Sequence, residues 1–390
     1  MSISITLISN ALTLHQIPFS KAMYNLLGEN YKFISCMPLS NERKAMGWKD
    51  NEHFPCELRA YESDQLEEKA HRLAIDSDVV ILGSASDKYI RDRLKMGKLT
   101  FKYSERLYKT GLSAKNIPRA VVSSYLHHGR FQKYPIYMLC ASAYTAADLA
   151  LFGNYKNRTF KWGYFPETKQ YDIDQLMASK RSDLVIGLWA GRFVGLKHPE
   201  LALAVAQRLD SENINFQLKM IGNGEEVEKI KNMADSMGLK NPVEFLGAMP
   251  PEEVRRCMEE ANICLLTSDF NEGWGAVLNE SMNSGCAVVA SHAIGSVPFL
   301  IKHGENGLIY KNGDMYDLCE KAILLAKDSI LREKIGRKAY LTIKDTWCAE
   351  DAADRFLKLS KSLLEGNIHE YQEGPCSKAV PIKNNWFNGG

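Results

Sequence analysis

No Cys-x-x-Cys pair occurs in this chain, and its nine cysteines (36, 56, 140, 257, 264, 286, 319, 348 and 376) are scattered and odd in number. A disulfide framework or a zinc ribbon needs regular pairs, so neither is expected, and a reduced, cytoplasmic setting fits better. Cys264 and Cys286 sit in apolar runs, where a free thiol acts as a small hydrophobe. No uninterrupted apolar stretch approaches a bilayer span. The first residues, Met1-Ser-Ile-Ser-Ile-Thr-Leu-Ile-Ser, carry no basic leader and reach Asn10 within one short apolar run. They read as a first strand and not as a signal peptide. No His, Cys or carboxylate cluster has metal-ligand spacing, so neither metal nor another cofactor is expected. The D-x-D at Asp172-Ile-Asp174 lies in a polar stretch away from any strand end and carries little weight. No nucleic-acid motif is present.

What the chain does have is alternation. Its 390 residues suggest two domains. In the first half, β-like runs at Ile3-Ile8, Phe33-Met37, Val79-Ser84, Leu99-Tyr103 and Tyr134-Leu139 alternate with amphipathic stretches such as Ser63-Ile75 and Ile90-Met96. After a polar stretch the pattern restarts at Leu184-Trp189 and runs through strands at 216–221, 243–246, 263–266 and 287–290. Helical segments lie between them, and Met315-Ala326, Ile330-Ile343 and Ala349-Leu364 read as further helices. Strands alternating with helices imply βαβ units and parallel sheets. The expected layout is α/β, with two doubly wound Rossmann-like domains facing each other across a cleft. Their bounds are 1–168 and 183–345, with a linker at 169–182 and a C-terminal helix and tail at 346–390.

Charge is uneven. Between Arg91 and Lys169 stand fifteen Lys or Arg against four acids, a net +11 that leaves −9 elsewhere. An anionic partner for one half accounts for this, and a solvated basic face stands beside it as the plainer reading.

Chemistry concentrates in the second half. Gly191-Arg192-Phe-Val-Gly-Leu-Lys197 follows a strand and precedes a helix, an arrangement suited to a diphosphate. Met220-Ile-Gly222-Asn223-Gly224 ends another strand; its glycines allow close backbone approach to a ligand, but the third glycine of a dinucleotide fingerprint is Val227. Glu272-Gly273-Trp274-Gly275-Ala276-Val277-Leu-Asn-Glu280 places two carboxylates across a Gly-bracketed helix start. Carboxylates accept paired hydroxyls, and the freed amides favour an anion. A capped helix with two surface glutamates is the plainer alternative.

Together these segments resemble the retaining glycosyltransferases of the GT-B fold, family 4 type, over Gly191 to Tyr310. Val243-Glu-Phe-Leu-Gly247, Gly285-Cys-Ala-Val-Val-Ala-Ser291 and His303-Gly-Glu-Asn-Gly-Leu-Ile-Tyr310 complete the likeness. The first half is similar more weakly, through Ser104-Glu-Arg-Leu-Tyr108, Ala141-Ser-Ala-Tyr-Thr145 and Phe160-Lys-Trp-Gly-Tyr-Phe-Pro166. The resemblance implies that Arg192 and Lys197 hold the donor diphosphate. It implies that Glu272 and the amides of Gly273, Trp274 and Gly275 hold the sugar, Glu280 the ribose, and Leu246-Gly247 the base, with Ala276 and Val277 also at the donor. It also implies a first domain that takes the acceptor, and a bacterial surface polysaccharide as the setting.

Two departures stand out. Many relatives carry a His after the fourth strand of the first domain; here Glu105 follows Ser104, as a candidate to steady positive charge at the sugar or simply as the partner of Arg106 or another cation. Phe299 follows Pro298 where relatives often have Glu. His15 is a further cleft candidate, and His127-His128 read as surface residues. The expected partners are a nucleotide-sugar (UDP-sugar favoured, GDP-sugar as the alternative), a saccharide or lipid-diphosphate-linked acceptor, and an anionic membrane surface, without nucleic acid. A nucleotide-sugar epimerase or hydrolase, or a non-catalytic binding protein, would share the fold.

Overall fold

Runs such as Val79-Val-Ile-Leu82 and Ala287-Val-Val-Ala-Ser291 are buried along their whole length, as strands covered on both faces must be. A computed structural model describes residues 3–40, 54–180 and 183–388. The chain divides into two units, Met1–Glu167 with Trp347–Lys383, and Thr168–Thr346 with Asn384–Gly390.

Unit 1 runs β1 (Ile5–Ser9), α1 (Ile17–Leu27), β2 (Tyr31–Ser35), β3 (Glu57–Arg59), α2 (Asp64–Asp76), β4 (Val79–Leu82), α3 (Arg91–Lys95) and β5 (Thr100–Ser104). It continues through α4 (Ile117–His127), β6 (Ile136–Cys140), α5 (Thr145–Ala150) and β7 (Thr159–Lys161). The strands pair in parallel in the order β3-β2-β1-β4-β5-β6-β7.

Unit 2 contains α6 (Ile173–Ser179), β8 (Val185–Ala190), α7 (Pro199–Ser211), β9 (Phe216–Ile221), α8 (Val227–Ser236), β10 (Glu244–Gly247), α9 (Pro251–Glu260) and β11 (Ile263–Leu266). Then come α10 (Ala276–Asn283), β12 (Ala287–Ser291), α11 (Val297–Leu300), β13 (Leu308–Tyr310), α12 (Met315–Lys327) and α13 (Ser329–Asp345). Its parallel order is β10-β9-β8-β11-β12-β13. Trp189, Leu203, Leu209, Leu218, Val289 and Leu318 fill its core.

The last helix, α14 (Ala349–Leu364), returns to unit 1. Its Phe356 packs edge-on against Phe19 of α1, Phe101 of β5 and Trp162. Beyond it, Lys161 N donates to Ser377 O (2.7 Å) and Ala379 N to Thr159 O (3.0 Å), so the tail covers the open edge of β7. The chain then passes to unit 2, where Trp386 Nε1 donates to His292 O (3.3 Å) and His292 Nε2 lies 2.9 Å from Asn384 O.

Three expectations change. The segment 169–182, read as a linker, belongs to unit 2 and forms α6 over Ile173–Ser179; its end at 181–182 lies outside the described residues. Asp172 caps α6, accepting from Asp174 N and Gln175 N, and Asp174 pairs with Arg337, so the D-x-D has a structural use. The stretch 346–390 was expected to return to the first domain; Trp347–Lys383 do so, and the chain from Asn384 onward groups with unit 2. The short strands β3, β7 and β13 are not among those expected from the sequence.

Candidate functional site

Strand order in unit 2 reverses between β8 and β11, the place where doubly wound sheets open a crevice at the strands' carboxyl ends. The loops leaving these two strands carry Arg192, Lys197 and Glu272. Asp269 N donates to Leu196 O (3.0 Å), and Thr267 Oγ1 donates to Lys197 O (2.6 Å) while accepting from Trp189 Nε1 (2.9 Å). Tied together in this way, the loops bring Lys197 Nζ into an ion pair with the Glu272 carboxylate, to which Ser268 Oγ also donates at 3.1 Å. Both side chains are largely shielded, 18% and 15% exposed, so the pair is poorly screened. Arg192 is exposed at the start of the same loop, beside Gly191.

Glu272 leads to the N-terminus of α10. Gly275 is its cap at φ +82°, and a Cβ there would meet Ile294 Cγ2 at 2.9 Å, so the position suits glycine. The amides of Gly273, Gly275, Ala276 and Val277 make no hydrogen bond among the described residues. Such a row of free N–H groups at a helix start favours an anion. Glu280 lies just over one turn further along and is half-buried. No described residue donates to its carboxylate; burial raises its pKa and Arg255 opposes that shift.

The Trp274 side chain points into the interior. Its indole is fully buried, donates to Asn279 Oδ1 (2.8 Å) and lies 6.3 Å from the Phe299 ring. The side chain anchors the turn, and Phe299 belongs to that anchor.

The glycines of Gly222-Asn223-Gly224 also serve another end. A Cβ on Gly222 (φ +130°) would sit 1.8 Å from Gly191 O, and one on Gly224 would sit 2.4 Å from Phe193 O. The close approach they permit is to the neighbouring loop of the chain itself. Phe193 N donates to Asn223 O (2.9 Å), and Gly222 N to Gly247 O (2.8 Å). This lines up the half-buried Leu246 and exposed Gly247 with the loop after β8.

His198 was missed. It holds a left-handed conformation (φ +48°) at the start of α7, with Nδ1 2.9 Å from Glu200 Oε1 and Nε2 3.3 Å from Asp269 Oδ2. Its bond to Glu200, helped by Asp269, raises its pKa against the effect of burial. It therefore joins the two loops that carry Lys197 and Glu272. No local signal marks it, because a residue before proline ordinarily takes extended backbone and His198 does not.

In unit 1, Glu105 accepts from Tyr164 Oη and pairs with Lys109 Nζ at 3.0 Å. Arg106 turns instead to Asp148 (3.6 Å) and lies over the Tyr144 ring (4.8 Å). Asp148 also accepts from the amides of Leu107 and Tyr108, at 2.8 and 3.0 Å, which fixes the loop after β5. His15 stacks on Tyr164 with ring centres 5.6 Å apart. Tyr164 thus joins His15 to Glu105, a link that the sequence did not disclose. His128, expected at the surface, is buried beside Tyr155 Oη (3.3 Å), and desolvation depresses its pKa to about 3. His127 is the exposed one of the two and pairs with Asp87 (3.1 Å).

This doubly wound pair of units is the GT-B fold. HepE of Anabaena in complex with UDP superposes with a TM-score of 0.65 over 93% of this chain and 99% of its own, at 15% identity. Sucrose-phosphate synthase from Thermosynechococcus elongatus gives 0.67 over 94% and 100%, at 18% identity. Within unit 2, residues 176–342 match the model of the glycosyl transferases group 1 family. A D-inositol 3-phosphate glycosyltransferase of Corynebacterium jeikeium is 32% identical over 163 residues, 40% of this chain and 38% of the relative. The lipopolysaccharide core biosynthesis glycosyltransferase LpsE of Rhizobium meliloti is 25% identical over 190 residues, 49% of this chain and 54% of the relative. The chain thus spans about half or less of the length of these curated relatives.

Proposed function

We propose that the chain is a retaining glycosyltransferase that moves a sugar from a nucleotide-sugar, with UDP-sugar favoured over GDP-sugar, to a saccharide or lipid-diphosphate-linked acceptor. The observation that carries this reading is the meeting of Lys197 and Glu272, from separate loops, at the free amides of α10. A diphosphate there takes Lys197, Arg192 and the helix N–H groups. Glu272, released from Lys197, turns to the sugar hydroxyls, and Glu280 accepts from the ribose. Negative charge grows on the leaving diphosphate as the glycosidic bond breaks, and these fixed donors stabilise it without a metal. Glu105 of unit 1 is assigned to the positive charge that grows on the sugar, with Tyr164 and Lys109 orienting it.

The UDP complex of HepE and the lipopolysaccharide role in the name of LpsE support the choice of base and of setting, the cytoplasmic face of a bacterial inner membrane. Thermal unfolding with UDP, GDP, ADP and their sugar conjugates tests the donor, because a ligand of the native state raises the midpoint. The proposal expects UDP and a UDP-sugar to stabilise most, and product NMR to show the donor's anomeric configuration retained. No response to any nucleotide, or an inverted product, overturns it.

A further inference from the structure

Helix α4 (Ile117–His127) is built inside out. It is buried only through Ala120 and Ser124, a stripe continued by His128, while Ile117, Val121, Val122, Tyr125 and Leu126 are 43% to 62% exposed. Helix α7 does the ordinary thing, burying Leu203, Val205 and Leu209. At helical spacing Ile117, Val121 and Tyr125 form one row on α4, and Val122 and Leu126 the next. Lys115 and Arg119 precede Val122 and Leu126 at i, i+4, i+7 and i+11, on the edge of the apolar face. Both are exposed, and neither makes an ion pair among the described residues.

The surrounding charge is one-sided. From Arg106 to Ala147 the chain contains no Asp or Glu, but six Lys or Arg. Much of the wider basic excess is used internally. Arg93 donates to Thr100 Oγ1, Ser77 O and Leu99 O, Lys98 to Ile75 O, Lys102 to Asp87, and Arg158 to Gln132 O and Tyr134 O. What remains toward solvent around α4 is Lys115, Arg119 and Lys133.

We propose that this face of α4 rests on an anionic lipid bilayer, its apolar rows entering the boundary between headgroups and acyl chains while Lys115, Arg119 and Lys133 stay among the phosphates. Bulky apolar side chains beside basic ones, with a tyrosine among them, suit that interface. Eleven residues of helix extend about 16 Å, enough to lie in the surface but not to cross it. A second copy docked by the same stretch would offer Lys115 and Arg119 no acid, since 106–147 contains none. The inference rests on the proposed lipid-linked acceptor for its setting, yet its test uses lipid without donor or acceptor.

Co-sedimentation of the full chain with vesicles of phosphatidylcholine, alone or mixed with phosphatidylglycerol, is the measurement. Binding to the mixed vesicles is expected to be at least ~10-fold stronger and to weaken with salt. The double variant Val122→Glu, Leu126→Glu should lose it by ~10-fold or more, with the thermal response to nucleotide unchanged. Lys115→Glu with Arg119→Glu should abolish the preference for anionic lipid. A Tyr125→Trp variant should show blue-shifted emission on mixed vesicles only. The proposal is overturned by absence of binding, by binding that the apolar double variant leaves intact, or by a dimer in sedimentation equilibrium that this variant dissolves. Loss of nucleotide response in the unmodified chain, with vesicle binding kept, would strike the donor reading and spare this one.

Discussion

The two units share a winding plan but spend their polar residues differently. In unit 2 the loops at the reversal between β8 and β11 converge, and Lys197, Glu272 and the α10 amides are held ready by bonds from Thr267, Ser268 and Asp269. In unit 1 most charges near the sheet serve the fold: Arg93 stitches loop carbonyls, Lys102 closes on Asp87, and Asp148 fixes the loop after β5. Glu105 with Tyr164 and His15 forms a polar group at strand ends there. One sheet edge gathers charged groups and free amides; the other carries a sparser, more aromatic set. A donor common to many enzymes and an acceptor particular to each would produce that contrast.

The sharpest way to break the comparison is at Glu272. Glu272→Ala should lower kcat/KM by about 10³-fold, roughly 4 kcal/mol, and weaken the thermal response to the sugar conjugate more than to the bare nucleotide. Because Lys197 is its partner, the Lys197→Ala, Glu272→Ala pair should cost clearly less than the sum of the single variants. Strict additivity in a double-mutant cycle would mean that the two act apart.

Next in size is Gly222→Ala, which forces a Cβ against Gly191 O and should destabilise by about 3 kcal/mol. Urea unfolding reads this directly, and a change under 1 kcal/mol would show that the loops move apart easily. Glu105→Gln keeps a group for Tyr164 but removes the charge. A fall of about 10²-fold in kcat, with donor affinity kept, would give unit 1 a share of the chemistry. A change within threefold would return Glu105 to a structural role.

The smallest effect is one of pH. The folded pKa of His198 is raised, so its stabilising bonds to Glu200 and Asp269 are fully present below about pH 6.5 and fade as pH rises through the folded value. His128 works in the opposite sense: buried neutral, it favours the fold above about pH 6.5 and costs stability as pH falls toward its folded value of about 3. Thermal midpoints of His198→Gln and His128→Gln, each against the parent from pH 5 to pH 8 (roughly the span of the histidine change), should therefore diverge at opposite ends. Parallel profiles would refute the difference.

Unit 2 was legible because each signal there is local. Strands such as Ile263–Leu266 are short apolar runs, and the Glu272–Glu280 spacing lies within one loop and one helix. The unit 1 features that escaped notice depend on distant residues. Strand β7 has three residues, and its edge is completed by 376–379 from the far end of the chain. Tyr164 meets Glu105 from 59 positions away. Periodicity misleads on α4, where the small residues Ala120 and Ser124 face inward and set His128 in the interior. The purpose of Gly222 and Gly224 was hidden for a related reason: glycine announces a close approach without saying to what.

The backbone passes between the units after residues 167, 346 and 383. Neither unit is therefore encoded by one uninterrupted stretch. A chimera that exchanges unit 1 by a single splice at 167 would leave α14 and the strip along β7 behind, stranding Phe19 and Trp162 without Phe356. Recombination that respects this architecture needs three cut points, and the short closing segment that carries Trp386 has to travel with unit 2.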